Sequence, residues 1–252
     1  MTASDRDFVG ALEKGLLVIE SFDRTNSRMT LSEVARRTGL SRAAARRYLL
    51  SLVRLGYAES DGKLFWLAPR VLRLGYAYLA TTPLPRLAQP ILDGIGERTQ
   101  EVASIAILDG ASVVFLAHSA SRRIISANTG VGTRMPAYCT AMGRVLLASL
   151  ADADIRQFLH DREFRRLTPR TKVERDELFQ EIMKARVDGY AISDEELEIG
   201  LRSIALPVAN PRGQVMLAMS VSLQAARMTP AQMVEQLLPA LEDGRRALSS
   251  ML

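Results

Sequence analysis

The first part of the chain has apolar residues every three or four positions, which is the spacing of amphipathic helices. In the segment ALEKGLLVIESF, this apolar stripe consists of Leu12, Leu16, Ile19 and Phe22. A second helix of barely two turns is predicted in TLSEVARRTG, because Thr30 and Glu33 have capping-box spacing and Gly39 ends the run. The pattern therefore predicts two helices separated by a polar break at residues 24–28.

A third helix is predicted in RAAARRYLLSLVRLG, where Ser41 is the cap and Gly56 ends the run. Its inward stripe consists of Ala45, Leu49 and Leu52. The basic and small residues of its first half therefore face away from the core. A short helix, a tight turn at Gly39-Leu40 and a longer helix together form the pattern of a helix-turn-helix.

A hairpin is predicted directly after the third helix. Two short apolar runs flank Ser60-Asp61-Gly62-Lys63, a sequence typical of a hairpin turn. We predict that this hairpin is the wing of a winged helix-turn-helix, with Lys63 at its tip. Trp66 is predicted to pack into the core, since a lone Trp in a short hairpin usually packs against its own helices.

The segment 69–82 is predicted to be a linker helix with apolar residues on more than one face. These residues are Leu72, Leu74, Tyr76, Tyr78 and Leu79. A helix of this kind needs a partner, and a two-fold DNA-binding protein places two recognition helices on two half-sites. We therefore predict a dimer-forming linker, followed by a domain boundary at the prolines of positions 83, 85 and 90. The predicted division of the chain is 1–68, 69–82 and 83–252.

The residues beyond 82 alternate between strand and helix patterns. Strands are predicted over residues 102–108, 113–118 and 123–127, and as a further hairpin over 203–209 and 215–223. Helices are predicted over residues 141–149, 152–160, 172–187 and 230–248. This order predicts an α+β domain in which helices cover one antiparallel sheet, and pockets in such domains open between sheet and helices.

The positive charge of the chain lies in its first third. Residues 1–80 carry 13 Lys and Arg against 8 Asp and Glu, whereas the remaining residues carry 20 against 20. Within residues 36–54 there are six arginines and no acid. This density suits a polyanion such as the phosphates of double-stranded DNA, although a basic face exposed only to solvent would give the same count.

Cysteine usage and hydropathy indicate the compartment. The single cysteine, Cys139, excludes an internal disulfide, so an oxidising compartment is not required. Asp5 and Asp7 stand where a signal peptide needs an apolar core, and no stretch approaches the roughly 18 apolar residues of a membrane span. We expect a cytoplasmic protein that does not enter a membrane.

Eight residues are candidates for contact with DNA: Thr30, Ser41, Arg42, Ala43, Ala44, Arg46, Arg47 and Lys63. Small side chains at positions 43 and 44 let the backbone of the third helix approach the floor of the major groove. The arginines around them can reach guanine edges or flanking phosphates. A three-helix bundle without DNA binding is the alternative, but it does not explain the acid-free basic helix.

Three stretches beyond residue 130 resemble the IclR family of bacterial regulators. They are VGTRMPAYCTAMGRVLLA at 131–148, GYAISDEELEIGLRSIALPV at 189–208 and MSVSL at 219–223. With TGLSRAAARRYLLSL at 38–52, the chain is similar to the branch that controls protocatechuate, 4-hydroxybenzoate and β-ketoadipate catabolism. The resemblance implies a DNA-binding transcriptional regulator with a GAF-like effector domain that binds a small, usually aromatic, carboxylic acid. It also implies homodimers or tetramers, with RNA polymerase as a further candidate partner.

The resemblance further implies an effector site at Ala141, Met142, Ser193, Ser203, Ser220 and Ser222. Hydroxyl and backbone N–H groups can hydrogen-bond a carboxylate without burying a full counter-charge. From the residues alone, the serines at 220 and 222 share one strand face that is either pocket-lining or solvent-facing. Some relatives have Asp and Cys at positions 193 and 203, so a keto acid of two or three carbons is less expected here.

Arg134 and Arg123 are candidate clamps for the effector carboxylate, because a guanidinium binds a carboxylate in a bidentate fork. Arginines on the surface are common, so a solvent-exposed position is the alternative for each. Cys139 is either a redox sensor or a small buried hydrophobe. Arg202 is a candidate for ordering the acidic loop at 194–196.

An enzyme built on the second domain is the main functional alternative, since Asp194, Glu195, Glu196 and Glu198 offer carboxylates. The chain has only two histidines, no phosphate-binding glycine loop and no metal-ligand spacing. We therefore expect no catalytic residue, metal or cofactor. A DNA-associated structural protein that binds no small molecule is the third interpretation.

Overall fold

The computed structural model describes residues 8–23, 25–119 and 130–252. The chain divides into two compact units, Met1–Thr81 and Thr82–Leu252. In the first unit the elements are α1 (Gly10–Glu20), β1 (Met29–Thr30), α2 (Leu31–Thr38), α3 (Arg42–Leu55), β2 (Ala58–Ser60), β3 (Leu64–Leu67) and α4 (Leu72–Thr81). The three predicted helices, the hairpin and the helix in the linker segment are therefore confirmed.

The capping residues predicted from the sequence determine where α2 and α3 begin and end. The Thr30 side chain and the Glu33 side chain form a reciprocal capping box, and Ser41 accepts a hydrogen bond from the Ala44 backbone. Gly39 and Gly56 end the two helices with φ values of 68° and 76°, which favour glycine. The inward stripe of α3 is buried as predicted.

Only one part of α1 packs into the core of the first unit. Val18 is fully buried, whereas Leu12 is 64% exposed and Leu16 is 43% exposed. The apolar stripe predicted for the first helix is therefore only partly inward. Its outer part leaves apolar surface that no described element of this unit covers.

The wing is a three-stranded antiparallel sheet in the order β1-β3-β2. Phe65 pairs with Met29 on one side and Ser60 on the other, and its side chain is buried. Because successive side chains of a strand point to opposite faces, Trp66 lies on the outer face. The prediction that Trp66 belongs to the core is wrong: its ring carries the Arg28 guanidinium at 4.2 Å, and its Nε1–H donates to Glu59.

The second unit begins with a helix where the prolines had predicted a boundary. Its helices are α5 (Leu84–Thr99), α6 (Ala141–Leu147), α7 (Asp152–His160), α8 (Arg175–Asp188), α9 (Pro230–Gln236) and α10 (Leu238–Ser249). Pro83 and Pro85 lie at the start of α5, where a missing N–H costs little, and Pro90 lies inside it. The predicted final helix is divided in two at Leu237, two residues before Pro239.

As predicted, one antiparallel sheet forms the centre of this unit, and the described residues contribute six strands to it. Its strands are β4 (Val102–Asp109), β5 (Ser112–His118), β6 (Arg134–Pro136), β7 (Ala191–Asp194), β8 (Leu201–Ala209) and β9 (Val215–Gln224), in the order β6-β5-β4-β9-β8-β7. The short strands β6 and β7 were not predicted. The strand predicted over residues 123–127 lies outside the described residues.

The two faces of this sheet differ in the size of their side chains. One face carries large aliphatic residues and packs against α5 and α10. The other carries small residues such as Ala205 and Ala218 and packs against α6. Small side chains on this face allow α6 to approach the sheet closely, and the candidate site of this unit lies between them.

Candidate DNA-binding surface and effector cavity

The first half of α3 presents an exposed basic surface. The side chains of Arg42, Ala43, Arg46 and Arg47 are exposed, and Ala44 is half-buried. Within the described part of the chain, none of these three arginines pairs with a carboxylate. By contrast, Arg37 of α2 pairs with Asp23 at 2.6 Å. The α3 guanidinium groups are therefore available to an external anion.

The other predicted DNA-contacting residues lie at helix caps and in the hairpin. The Thr30 hydroxyl accepts a hydrogen bond from the Glu33 N–H and donates one to the Glu33 carboxylate. Capping therefore uses the hydroxyl as both a donor and an acceptor. The Ser41 hydroxyl accepts from the Ala44 N–H and keeps its own hydrogen for another acceptor. Lys63 is exposed in the turn, which Asp61 shapes by accepting from two backbone N–H groups; these bonds lower the pKa of Asp61.

A small cavity of about 40 Å³ lies between the sheet and α6 in the second unit. Its lining consists of Val102, Ser104, Phe115, Met135, Thr140, Ala141, Met142, Leu197, Leu201, Ser203 and Ser222. These residues are apolar or carry hydroxyl groups, and none is charged. Four of the predicted effector residues, at positions 141, 142, 203 and 222, are brought together here.

Two further predicted serines share the same face of the sheet but not the lining. Ser193 pairs with Ser203 between β7 and β8, and its hydroxyl donates to the Cys139 carbonyl at 2.8 Å. Ser220 pairs with Ser104 between β9 and β4 and is fully buried. The Ser220 hydroxyl has no hydrogen-bond partner among the described residues. The solvent-facing alternative for this face is therefore excluded by its burial under α6.

The predicted clamp Arg134 lies apart from this cavity. It stands on the edge strand β6, and its exposed guanidinium pairs with the Asp109 carboxylate at 2.5 Å. Arg134 is not among the residues that line the cavity. Arg123 lies outside the described residues.

A buried ion pair that the sequence patterns did not predict holds α6 to the acidic loop after β7. Arg144 donates from both terminal nitrogens to the Glu196 carboxylate, at 2.7 and 2.6 Å, and also to the Ile192 carbonyl. The Arg144 side chain is 1% exposed and that of Glu196 is 5% exposed. Both residues belong to the family-like stretches, which was the one available signal of their importance.

Three of the four carboxylates considered for catalysis, all except Glu198, are used in structural ion pairs. Besides Glu196, Asp194 pairs with Arg202 and Arg170, and Glu195 pairs with Arg170. Arg202 therefore orders the acidic loop, as the sequence had suggested. Within the described ranges, no cluster of three or more His, Cys, Asp or Glu side chains is arranged to hold a metal ion.

Cys139 has the environment of a buried hydrophobe. Its side chain is fully buried, and burial raises the pKa of the thiol to about 12. Because the thiolate is the reactive form, this environment opposes a role as a redox sensor. None of the helices within residues 8–23, 25–119 and 130–252 is long and apolar enough to span a membrane.

Two known family domains together match nearly the whole chain. The IclR helix-turn-helix domain matches residues 11–62, and the bacterial transcriptional regulator IclR C-terminal domain matches residues 76–250. The chain belongs to the IclR family of bacterial transcriptional regulators. The expected resemblance and the expected fold are thereby confirmed, and the chain is a DNA-binding regulator of the IclR type.

Several IclR-family relatives match almost end to end. The Pca regulon regulatory protein of Pseudomonas putida is 42% identical, over 98% of this chain and 86% of its own. The p-hydroxybenzoate hydroxylase transcriptional activator of Acinetobacter baylyi is 35% identical, over 98% and 93%. Both names place these relatives among the regulators of the predicted branch.

Solved structures agree with this assignment. A transcriptional regulator from Rhodococcus sp. RHA1 is 45% identical with a TM-score of 0.79, over 96% of this chain and 97% of that one. The inducer-binding domain of a PobR double mutant from Acinetobacter, in complex with 3-hydroxybenzoic acid, is 29% identical with a TM-score of 0.63. That match covers 67% of this chain and 99% of the other.

Proposed function

We propose that this IclR-family regulator binds a small aromatic carboxylic acid in the cavity between the sheet and α6 and controls genes of aromatic-acid catabolism. The observation that carries the proposal is the lining, which combines apolar side chains with hydroxyl groups and contains no charged residue. An aromatic ring needs apolar contacts, and hydroxyl groups can hydrogen-bond its carboxylate. The names of the relatives, which concern the Pca regulon and p-hydroxybenzoate hydroxylase, support the same ligand class.

The cavity must widen to admit such a ligand. Its volume of about 40 Å³ accepts only a few water-sized groups, since one water needs about 10–15 Å³ on this measure. Met135 and Met142 are suited to this change, because unbranched methionine side chains repack easily. We propose that Ser203 and Ser222 bind the carboxylate and that Ala141 and Met142 contact the ring.

The first test is a thermal shift assay on the full chain with protocatechuate, 4-hydroxybenzoate and β-ketoadipate. A ligand at one hundred times its dissociation constant stabilises the folded state by about 2.7 kcal/mol, which raises the melting temperature by a few degrees. We expect this shift with at least one of the two aromatic acids. No shift with any of the three acids, together with unchanged DNA binding, would favour a DNA-associated protein without an effector.

We also propose which residues contact DNA. The set is Thr30, Ser41, Arg42, Ala43, Ala44, Arg46, Arg47 and Lys63, with α3 in the major groove and the β2–β3 turn beside it. The unpaired, exposed arginines of α3 support this arrangement. Effector binding then changes operator affinity or contact with RNA polymerase by favouring one of two states of the regulator.

Arg46→Ala should weaken operator binding about tenfold to a hundredfold while leaving effector binding unchanged, because a bidentate base contact contributes about 1–3 kcal/mol. A gel-shift titration at fixed salt measures the change. Arg54→Ala is the matched control, since it removes the same charge from the exposed last turn of α3. Equal losses for the two variants would show that only overall charge matters.

The exposed apolar surface of the first unit supports a homodimer. Leu72 is 75% exposed and Tyr76 is 71% exposed on α4. Apolar side chains this exposed favour a protein partner, and a second copy would place two α3 helices on two half-sites. Sedimentation velocity of the full chain measures whether dimers form and whether they pair into tetramers.

The proposed function involves no catalytic step and no cofactor. The regulator would bind its DNA operator in the cytoplasm.

A further inference from the structure

Three polar residues form a continuous row across neighbouring strands on the α6 side of the sheet. Ser104 of β4 lies opposite His118 of β5 and, on its other side, opposite Ser220 of β9. Directly paired residues of antiparallel strands present their side chains on the same face, about 4.5–5.5 Å apart at Cβ. Ser104 lines the cavity, as does Ser222, two residues along β9 from Ser220. Ser220 and His118 border these lining residues but are not part of the lining themselves.

The hydrogen-bonding capacity of this row is only partly used. The Ser104 hydroxyl and His118 Nδ1 are 3.1 Å apart. His118 Nε2 is buried near the Gly130 backbone without a well-formed hydrogen bond, and the fully buried Ser220 hydroxyl has no partner among the described residues. Leaving a buried polar atom unpaired costs free energy, so an unpaired hydroxyl beside a cavity indicates that a ligand supplies the partner.

The row is suited to an uncharged group. Burial lowers the pKa of His118, because its effect exceeds that of the Gly130 backbone, which acts in the opposite direction. A neutral imidazole and two hydroxyls offer both donors and acceptors but no positive charge. A ligand hydroxyl group also donates and accepts hydrogen bonds, so it matches this row, whereas a carboxylate only accepts.

The row also lies away from the proposed carboxylate position. Ser104 and Ser203 stand on β4 and β8, which are separated by β9 in the sheet. Two strand spacings correspond to about 10 Å across the sheet. A ligand with a carboxylate at one end and a hydroxyl at the other can therefore contact both groups of residues.

We propose that His118, Ser104 and Ser220 form a subsite that recognises a hydroxyl group on the ring of the aromatic acid. This inference rests on the proposed function, since it specifies which part of the effector each end of the cavity binds. It makes the cavity selective for ring-hydroxylated acids over the unsubstituted acid, because a site built to bind a hydroxyl is left with unpaired groups when the ligand lacks it.

The test compares 4-hydroxybenzoate with benzoate by isothermal titration calorimetry on the full chain. We expect the wild type to prefer 4-hydroxybenzoate, and Ser220→Ala to weaken its binding about tenfold while leaving benzoate unchanged. Ser220→Ala should not lower the melting temperature of the ligand-free protein, since it removes no existing hydrogen bond. Ser104→Ala should show the same selective loss, and Ser203→Ala is the control that weakens both acids equally.

The possible outcomes separate this inference from the proposed function. Selective loss of 4-hydroxybenzoate affinity in both the Ser104 and the Ser220 variants supports the subsite. If the wild type binds both acids equally well, or if these variants keep the wild-type ratio, the subsite is wrong and the effector cavity stands. If the wild type binds neither these two acids nor protocatechuate, the aromatic-acid effector itself is wrong, and the subsite with it.

Discussion

Arg144→Met is expected to lower the free energy of unfolding by about 3–5 kcal/mol, because it leaves the Glu196 carboxylate buried without its counter-charge. In the native protein the two side chains form a bidentate pair at 2.7 and 2.6 Å, and Arg144 also donates to the Ile192 carbonyl. The loss of these bonds also frees α6 from the loop after β7. The effector cavity, which α6 covers, should lose its shape.

Urea denaturation followed by circular dichroism measures this loss. Arg98→Met is the matched control, since Arg98 pairs with Asp243 on the surface, where both side chains are about half exposed. We expect that control to lose at most about 1 kcal/mol. The double variant Arg144→Met with Glu196→Met should be more stable than Arg144→Met alone, because it removes the unpaired charge. Similar losses at Arg144 and Arg98 would contradict the structural role given to the buried pair.

Gly143→Ala is expected to lower the free energy of unfolding by about 3 kcal/mol, the upper end of the usual cost of overpacking. A Cβ atom on Gly143 would lie 2.0 Å from the Ala137 carbonyl oxygen and 2.4 Å from the Ala137 Cα. These are backbone atoms, so no side-chain rotation relieves the contact. The helix would have to move relative to the loop before it, displacing Ala141 and Met142 from the cavity.

Gly94→Ala provides the matched control within the same unit. Gly94 also lies in a helix, α5, but an added Cβ there meets no atom within 4 Å. Alanine should therefore stabilise that helix by about 0.5–1 kcal/mol. Thermal unfolding of the two variants, with 4-hydroxybenzoate binding as a second measurement, checks the difference. If both substitutions have the same effect, the close packing of α6 is not required for the fold.

Local patterns in the sequence were sufficient to predict most helices and strands of the fold. The caps at Thr30 and Ser41 and the glycines that end α2 and α3 act within one or two turns, so their effects do not depend on distant parts of the chain. The hairpin before β3 was likewise predictable from its turn. The faces of these elements were less predictable: Trp66 and Leu12 are apolar but lie outside the core.

The candidate effector site was predicted in part, and only through family-like stretches. Positions 141, 142, 203 and 222 do line one cavity, whereas Arg134 is taken up by Asp109 on an edge strand. Ser104 and His118 stood in a predicted hairpin without any local signal of function. Their importance depends on Ser220, which is more than a hundred residues away in the chain and adjacent in the sheet.

The amino-acid sequence alone determined the helix-turn-helix, the concentration of positive charge in the first third and the α+β order of the second unit, because periodicity, capping and charge are properties of neighbouring residues. Only the tertiary structure decided that Arg144 binds Glu196, that α6 contacts the small-residue face of the sheet, and that His118, Ser104 and Ser220 share one row. Strand order and helix packing bring together residues distant in the chain, and no local pattern specifies which of them will meet.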